Sequence, residues 1–147
     1  MVRRLIDALN RSDLDALMDC FAPDVHTHLP TQPSRGIHGR EYLRGYWESA
    51  MDGAGDVRAE LLRCVADGST VLAEWCWRGT RRDGSTFARA GMTVHGVVDD
   101  RIAWQRLYME PIRGEAETVG AWVVEEMERR PATRVATWSV TAAREAS

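Results

Sequence analysis

The feature that most limits the fold of this chain is a series of apolar-rich segments joined by tight turn pairs. Val57 to Ala66 runs into Asp67-Gly68, Thr70 to Thr80 into Asp83-Gly84, and Thr86 to Val98 into Asp99-Asp100. Arg101 to Pro111 follows directly. Such pairs favour short turns whose twist suits two paired strands. Consecutive strands joined this way form an antiparallel meander. The third run is long enough to need a bend or bulge, which the sequence places near Gly91.

The segments ahead of the meander have a different period. Val2, Leu5, Ile6 and Leu9 fall at i, i+3, i+4, i+7, the stripe of a half-buried helix. Leu14, Leu17, Met18 and Phe21 repeat it. Ser12 with Asp15 resembles a capping box at the start of that second helix, and Pro23 is expected to stop it. Asp24 to Leu29 is expected as a short strand ending at Pro30. Gly39 to Met51 is expected as a third helix, burying Tyr42, Leu43, Tyr46, Trp47, Ala50 and Met51. Helices first and sheet later is the α+β pattern. A strongly curved meander cannot cover its own concave face. The expected architecture is therefore three N-terminal helices packed on a curved antiparallel sheet, forming a cone with an internal pocket. A length of 147 residues fits one such domain, over residues 1–112. Residues 113–147 are expected as an extension packed on the same domain. It would hold a helix from Glu115 to Arg130, then a strand or tail with Trp138.

Composition narrows the function. The chain is 44% hydrophobic and 28% charged, which suits a globular protein. A net charge of −3 without a basic run argues against nucleic-acid binding. No apolar stretch reaches membrane-spanning length, so no membrane partner is expected. Cys20, Cys64 and Cys76 are an odd number without paired spacing, and the first residues lack a signal-peptide core. Both point to reduced thiols in the cytoplasm.

Strand parity suggests the site. Alternate residues share a face, so Val71, Ala73, Trp75 and Trp77 form the apolar and presumed inward face of their strand. His26 and His28 share a face of the short first strand, and His95 shares one with Thr93. Histidine is the side chain most ready to move protons near neutral pH. A histidine that merely bonds a backbone carbonyl is the bland alternative. His-x-His also has the spacing of a metal pair, but no spacing nominates a third ligand, and no metal is expected. A Gly-rich phosphate loop, a Gly-x-Ser-x-Gly elbow and a Cys-x-x-Cys pair are all missing, and no cofactor is expected.

Several stretches resemble SnoaL-like proteins of the nuclear transport factor 2-like superfamily. They are Val2 to Asn10, Asp13 to Leu17, Phe21 to Val25, Arg35 to Glu41, Trp77 to Thr80 with Asp83-Gly84, and Arg106 to Pro111. The resemblance implies the cone fold. It also implies a choice of activities, since the superfamily holds polyketide cyclases, ketosteroid isomerase, scytalone dehydratase, limonene epoxide hydrolase and proteins without catalysis. The epoxide hydrolases' Arg-x-Asp pair is replaced here by Trp75 and Trp77, and their second Asp by Leu107. The isomerase base position before a proline holds Leu29. His26 and His28 match the positions of the hydrolases' water-positioning residues, which implies that they face inward.

The expected function is proton-transfer chemistry on a small apolar molecule, cyclic or polyketide-like: cyclisation, isomerisation or dehydration. His28 with His26 would be acid or base, and Tyr46 or Tyr108 would donate to a substrate oxygen. Trp75 and Trp77 would be the walls, with Trp47, Met92, Thr93, His95, Leu107 and Met109 completing the lining. The alternative is a non-catalytic ligand-binding or dimerisation module. A homodimer through the outer sheet face is expected in either case.

Overall fold

The computed structural model describes residues 1–112. The extension expected over 113–147, with its helix and tail, lies outside the described residues. Helix α1 (Val2–Asn10) buries Val2, Leu5 and Leu9 of the stripe read from the sequence, together with Ala8, while Ile6 is half-buried. Its last side chain ties it to the sheet. The Asn10 amide accepts from the Ala59 N–H at 2.7 Å and donates to the Ala59 carbonyl at 2.9 Å.

Helix α2 (Leu14–Met18) is capped by Asp13, not Ser12; the carboxylate accepts from the Ala16 N–H at 3.0 Å. Ser12 instead takes the left-handed conformation, φ 53°, that turns the chain between the helices. The helix ends before Pro23, which lies inside strand β1 (Phe21–His28). The β1 ladder shifts register between Phe21 and His26, and a residue without an N–H is tolerated at such an irregularity.

Strand β2 (Ile37–His38) and helix α3 (Arg40–Gly53) come next. The meander follows: β3 (Ala54–Asp67), β4 (Thr70–Arg81), β5 (Thr86–Val98) and β6 (Arg101–Pro111). One curved, unclosed sheet results, in the order β2-β1-β6-β5-β4-β3. The meander is antiparallel throughout, and β1 joins β6 in parallel. Asp99 and Asp100 both have positive φ, as the two-residue turn between β5 and β6 demands.

The bend or bulge expected near Gly91 does not disturb the ladder at Gly91 itself. β5 keeps register with both neighbours through Gly91, and the shift against β6 falls between Gly96 and Val97. Gly91 is needed for a different reason: a Cβ there would collide with the Tyr108 carbonyl of β6. Gly96 likewise leaves room for the Trp104 indole, over which the Arg106 guanidinium lies at 5.5 Å from the ring centre.

The core lies between the helices and one face of the sheet. Phe21, Val25, Leu17, Leu43, Trp75 and Ile102 are each at most 1% exposed within it. Of the six residues expected on the buried side of α3, Leu43 is buried, while Trp47 and Met51 pack against the core edge. Tyr42 and Tyr46 are 79% and 49% exposed. The buried stripe of α3 is narrower than its apolar content suggests.

Candidate functional site

Cross-strand register orders the inward side chains into rows. One row runs Thr27, Gln105, His95, Val71 across β1, β6, β5 and β4. The next holds Leu107, Thr93 and Ala73, and a third holds Met109, Gly91 and Trp75. Then comes Arg89 opposite Trp77. Last comes Phe87 opposite Gly79, where a side chain on Gly79 would run into the Phe87 ring.

The first rows are filled and polar. The Trp75 indole donates to Thr93 Oγ1 at 2.6 Å, and Thr93 Oγ1 lies 2.7 Å from His95 Nε2. Thr93 can donate to that nitrogen or accept from it, and in both cases His95 Nδ1 stays buried without a partner. Beside this relay, the Gln105 amide donates to Thr27 Oγ1 at 2.9 Å. His95 is 1% exposed, and burial lowers its pKa to about 4. It is therefore a neutral imidazole at physiological pH.

The last rows open into a cavity of about 330 Å3. Trp47 and Met51 of α3 form one wall; Val57, Trp77 and Phe87 of the sheet form the other. The Trp47 and Trp77 rings meet with centroids 5.6 Å apart. Both indole N–H groups are buried without an acceptor. Unmade hydrogen bonds of this kind are rare in native interiors and call for an explanation. Arg81, Arg89 and Asp56 bring charge to the same lining.

The expected site is divided by this arrangement. Trp47, Trp77 and Tyr46 line the cavity. Trp75, Thr93, His95, Leu107 and Met109 belong to the inward rows beyond it. Four residues stand elsewhere. His26 and His28 are exposed on the outer face, while Val25 and Thr27 point in. Burying Val25 and Thr27 leaves one hydroxyl to satisfy, which Gln105 does; burying the histidines would desolvate two imidazoles. The inward orientation expected for the pair is thus reversed. The outer face holds a His26–His28 stack at 6.3 Å and a His26–His38 edge contact at 4.0 Å. Met92 and Tyr108 also share the outward parity, being 41% and 37% exposed. Neither Met92, expected in the lining, nor Tyr108, expected as a donor to substrate, lines the cavity. Among the described residues, no group of three ligating side chains is placed to hold a metal ion.

Arg89, Arg81, Phe87, Gln105 and Thr27 were not anticipated. Parity could have found the first three. Arg89 and Phe87 alternate with Gly91, Thr93 and His95, and Arg81 alternates with Trp77 and Trp75.

The SnoaL-like domain model matches residues 2–105. The chain belongs to the SnoaL-like family. Solved structures agree on the fold. IdmH from Streptomyces antibioticus, a proposed polyketide cyclase, is 25% identical with a TM-score of 0.65, over 74% of this chain and 88% of that one. A limonene-epoxide-hydrolase-like enzyme of M. tuberculosis is 22% identical at 0.64, over 74% and 79%. An NTF2-like protein of unknown function from Burkholderia pseudomallei is 18% identical at 0.66, over 74% and 87%. No curated protein matches the chain. The solved structures of this fold are thus named for two different chemistries, and the chemistry of this SnoaL-like chain has to be argued from its own cavity.

Proposed function

We propose that the protein is a cofactor-independent enzyme that moves a proton on a small apolar carbonyl compound, cyclic or polyketide-like, bound in this cavity. The observation that carries the reading is the pair of buried, unpartnered indole N–H groups on Trp47 and Trp77. An indole nitrogen is a donor and never an acceptor. The complement of this wall is a ligand oxygen. When a proton leaves the carbon beside a carbonyl, negative charge gathers on that oxygen. Fixed donors in a dry site stabilise it most at that moment. Met51, Val57 and Phe87 add apolar surface beside the indoles, which suits a ring system.

The proton acceptor on this reading is His95, held by Thr93 and neutral at pH 7. It replaces His26 and His28, which face outward. A substrate lodged beyond Trp77 would pass the side-chain-free Gly91 of the next row and reach that of Thr93, so Thr93 would link His95 to the reacting carbon. Enolisation of this kind is the shared step of cyclisation, isomerisation and dehydration.

A second reading has one observation in its favour: among the described residues, no histidine lines the cavity. A non-catalytic carrier would need the walls and the indole donors but no acid or base. Exchange of the α-protons of 2-tetralone in D2O, followed by NMR, separates the two. An enzyme accelerates exchange, and Trp77→Phe, which keeps the wall and removes the donor, slows it about tenfold or more. A carrier binds the ketone and leaves its exchange at the buffer rate. The homodimer belongs to the same proposal, through an outer face that exposes Leu62, Met92 and Tyr108. Light scattering that gives a monomer at micromolar concentration removes it.

A further inference from the structure

Two cations in the lining of a largely apolar cavity need a reason. Arg81 ends β4 and Arg89 lies in β5, and both line the cavity. Arg89 stands directly across from Trp77. Arg81 lies over the Phe87 ring, 5.1 Å from its centre. The other arginines of this hairpin have partners. Arg78 pairs with Glu60 at 4.0 Å, and Arg82 with Asp52 at 3.6 Å. Among the described residues, neither Arg81 nor Arg89 has a carboxylate within ion-pair distance. Arg81 bonds the Ser85 hydroxyl at 3.1 Å, and Arg89 reaches the Met109 carbonyl at 3.4 Å. Each guanidinium has five donors, so most of them remain unused. Asp83 is the acid nearest Arg81 in sequence, but it accepts from the Ser85 N–H at 2.9 Å and the Ser85 hydroxyl at 2.6 Å. Among the described residues, Asp56 is the one carboxylate in the lining, against two guanidiniums.

We propose that the cavity selects a monoanion: an apolar ring body between Trp47, Trp77 and Phe87, with a carboxylate held at the exposed end by Arg81 and Arg89. The planar fork of arginine matches a carboxylate with two parallel bonds. Ring stacking fixes the Arg81 fork in place before the ligand arrives. This assignment rests on the reading of the cavity as a small-molecule site and adds the charge of the molecule. A phosphate ester would meet the same cations, yet it brings more polar oxygens than the remaining apolar walls can serve.

The test uses the full chain, 1-naphthylacetate and its neutral carboxamide, with binding measured by calorimetry. The carboxylate is expected to bind at least about tenfold tighter than the amide, and less tightly as salt rises. In Arg81→Gln/Arg89→Gln the two ligands should bind alike, the amide as in the parent protein. Arg81→Lys/Arg89→Lys should keep part of the preference, since charge remains and the fork is lost. Arg82→Gln, outside the lining, should change nothing. Equal affinities in the parent protein overturn the proposal, as does a preference that survives the double glutamine variant or is lost in Arg82→Gln. Those outcomes leave the cavity itself standing. Failure of both ligands to bind overturns the small-molecule reading together with this proposal. Naphthyl phosphate binding tighter than the carboxylate would overturn the choice of anion.

Discussion

Strands β1 and β5 carry the same kinds of residue and turn them opposite ways. β1 has His26-Thr27-His28; β5 has Thr93-Val94-His95. In β1 the threonine goes in, to the Gln105 amide, and both histidines go out. In β5 the threonine and the histidine go in together, joined at 2.7 Å. Period two says which residues share a face and does not say which face is buried. Neighbours settle that. In β1, Phe21 and Val25 are core residues at 1% and 0% exposure, and Val25 commits Thr27 to the inside with it. In β5, the inward set passes through Gly91, where the next strand comes too close for a side chain, and Thr93 finds the Trp75 indole. A histidine can enter the core where a hydroxyl is already fixed to receive it.

If this contrast is right, the largest effect comes from removing the anchor of the β5 row. Trp75→Ala empties a fully buried site and frees the Thr93 hydroxyl, and is expected to cost about 3–5 kcal/mol in urea unfolding. His26→Ala on β1 should stay within about 0.5 kcal/mol. Equal losses would mean that β1 is not turned outward.

Acid sharpens the same contrast. The folded-state pKa of His95 is lowered from 6.5 to about 4 by burial. Between those values the unfolded chain takes up a proton that the folded protein refuses. Stability therefore falls as pH drops through that window, on the order of 3 kcal/mol in all. His95→Gln should flatten this part of the curve. A melting curve whose acid slope is unchanged in that variant would place the titration elsewhere.

Activity should divide the strands too. On the proton-transfer reading, His95→Gln slows 2-tetralone exchange about 10²-fold, and His28→Gln leaves it alone. The reverse order would return the chemistry to the outer face, outside the cavity.

Much of this fold was legible because the signals were local. The turn pairs at Asp67, Asp83 and Asp99 delimit β3 to β6 almost to the residue. Most of the α1 stripe follows from period, and the inward Trp75-Trp77 face from period together with its apolar side chains. The candidate site was legible in part. Trp47 and Trp77 do line the cavity, and His95 does share its face with Thr93. The errors sit where a decision belonged to another strand. Met92 reads as lining and Tyr108 as a donor to substrate, yet Thr93 fixes the parity of β5, and Leu107 opposite it fixes that of β6. Arg89 was passed over because a charged residue in an inward row is the exception, and such exceptions gather at sites of function.

The smallest effect concerns the outer histidines. His28 titrates below the ordinary imidazole value, first because it is partly covered, then because of the His26 and Arg106 charges. Replacing His26 by Asn removes the second cause and leaves the first. The His28 pKa should therefore rise in the NMR titration of His26→Asn, yet remain below 6.5, the ordinary value. Arg106→Gln should raise it less, since Arg106 is the weakest of the three. No such step should appear for His95, which has no neighbouring charge behind its shift, only burial. The two histidine environments can thus be told apart by one substitution that touches neither ring. A His28 pKa insensitive to His26 would mean that the two imidazoles are not stacked on one face. The outward turn of β1 would then lose its most direct solution signature.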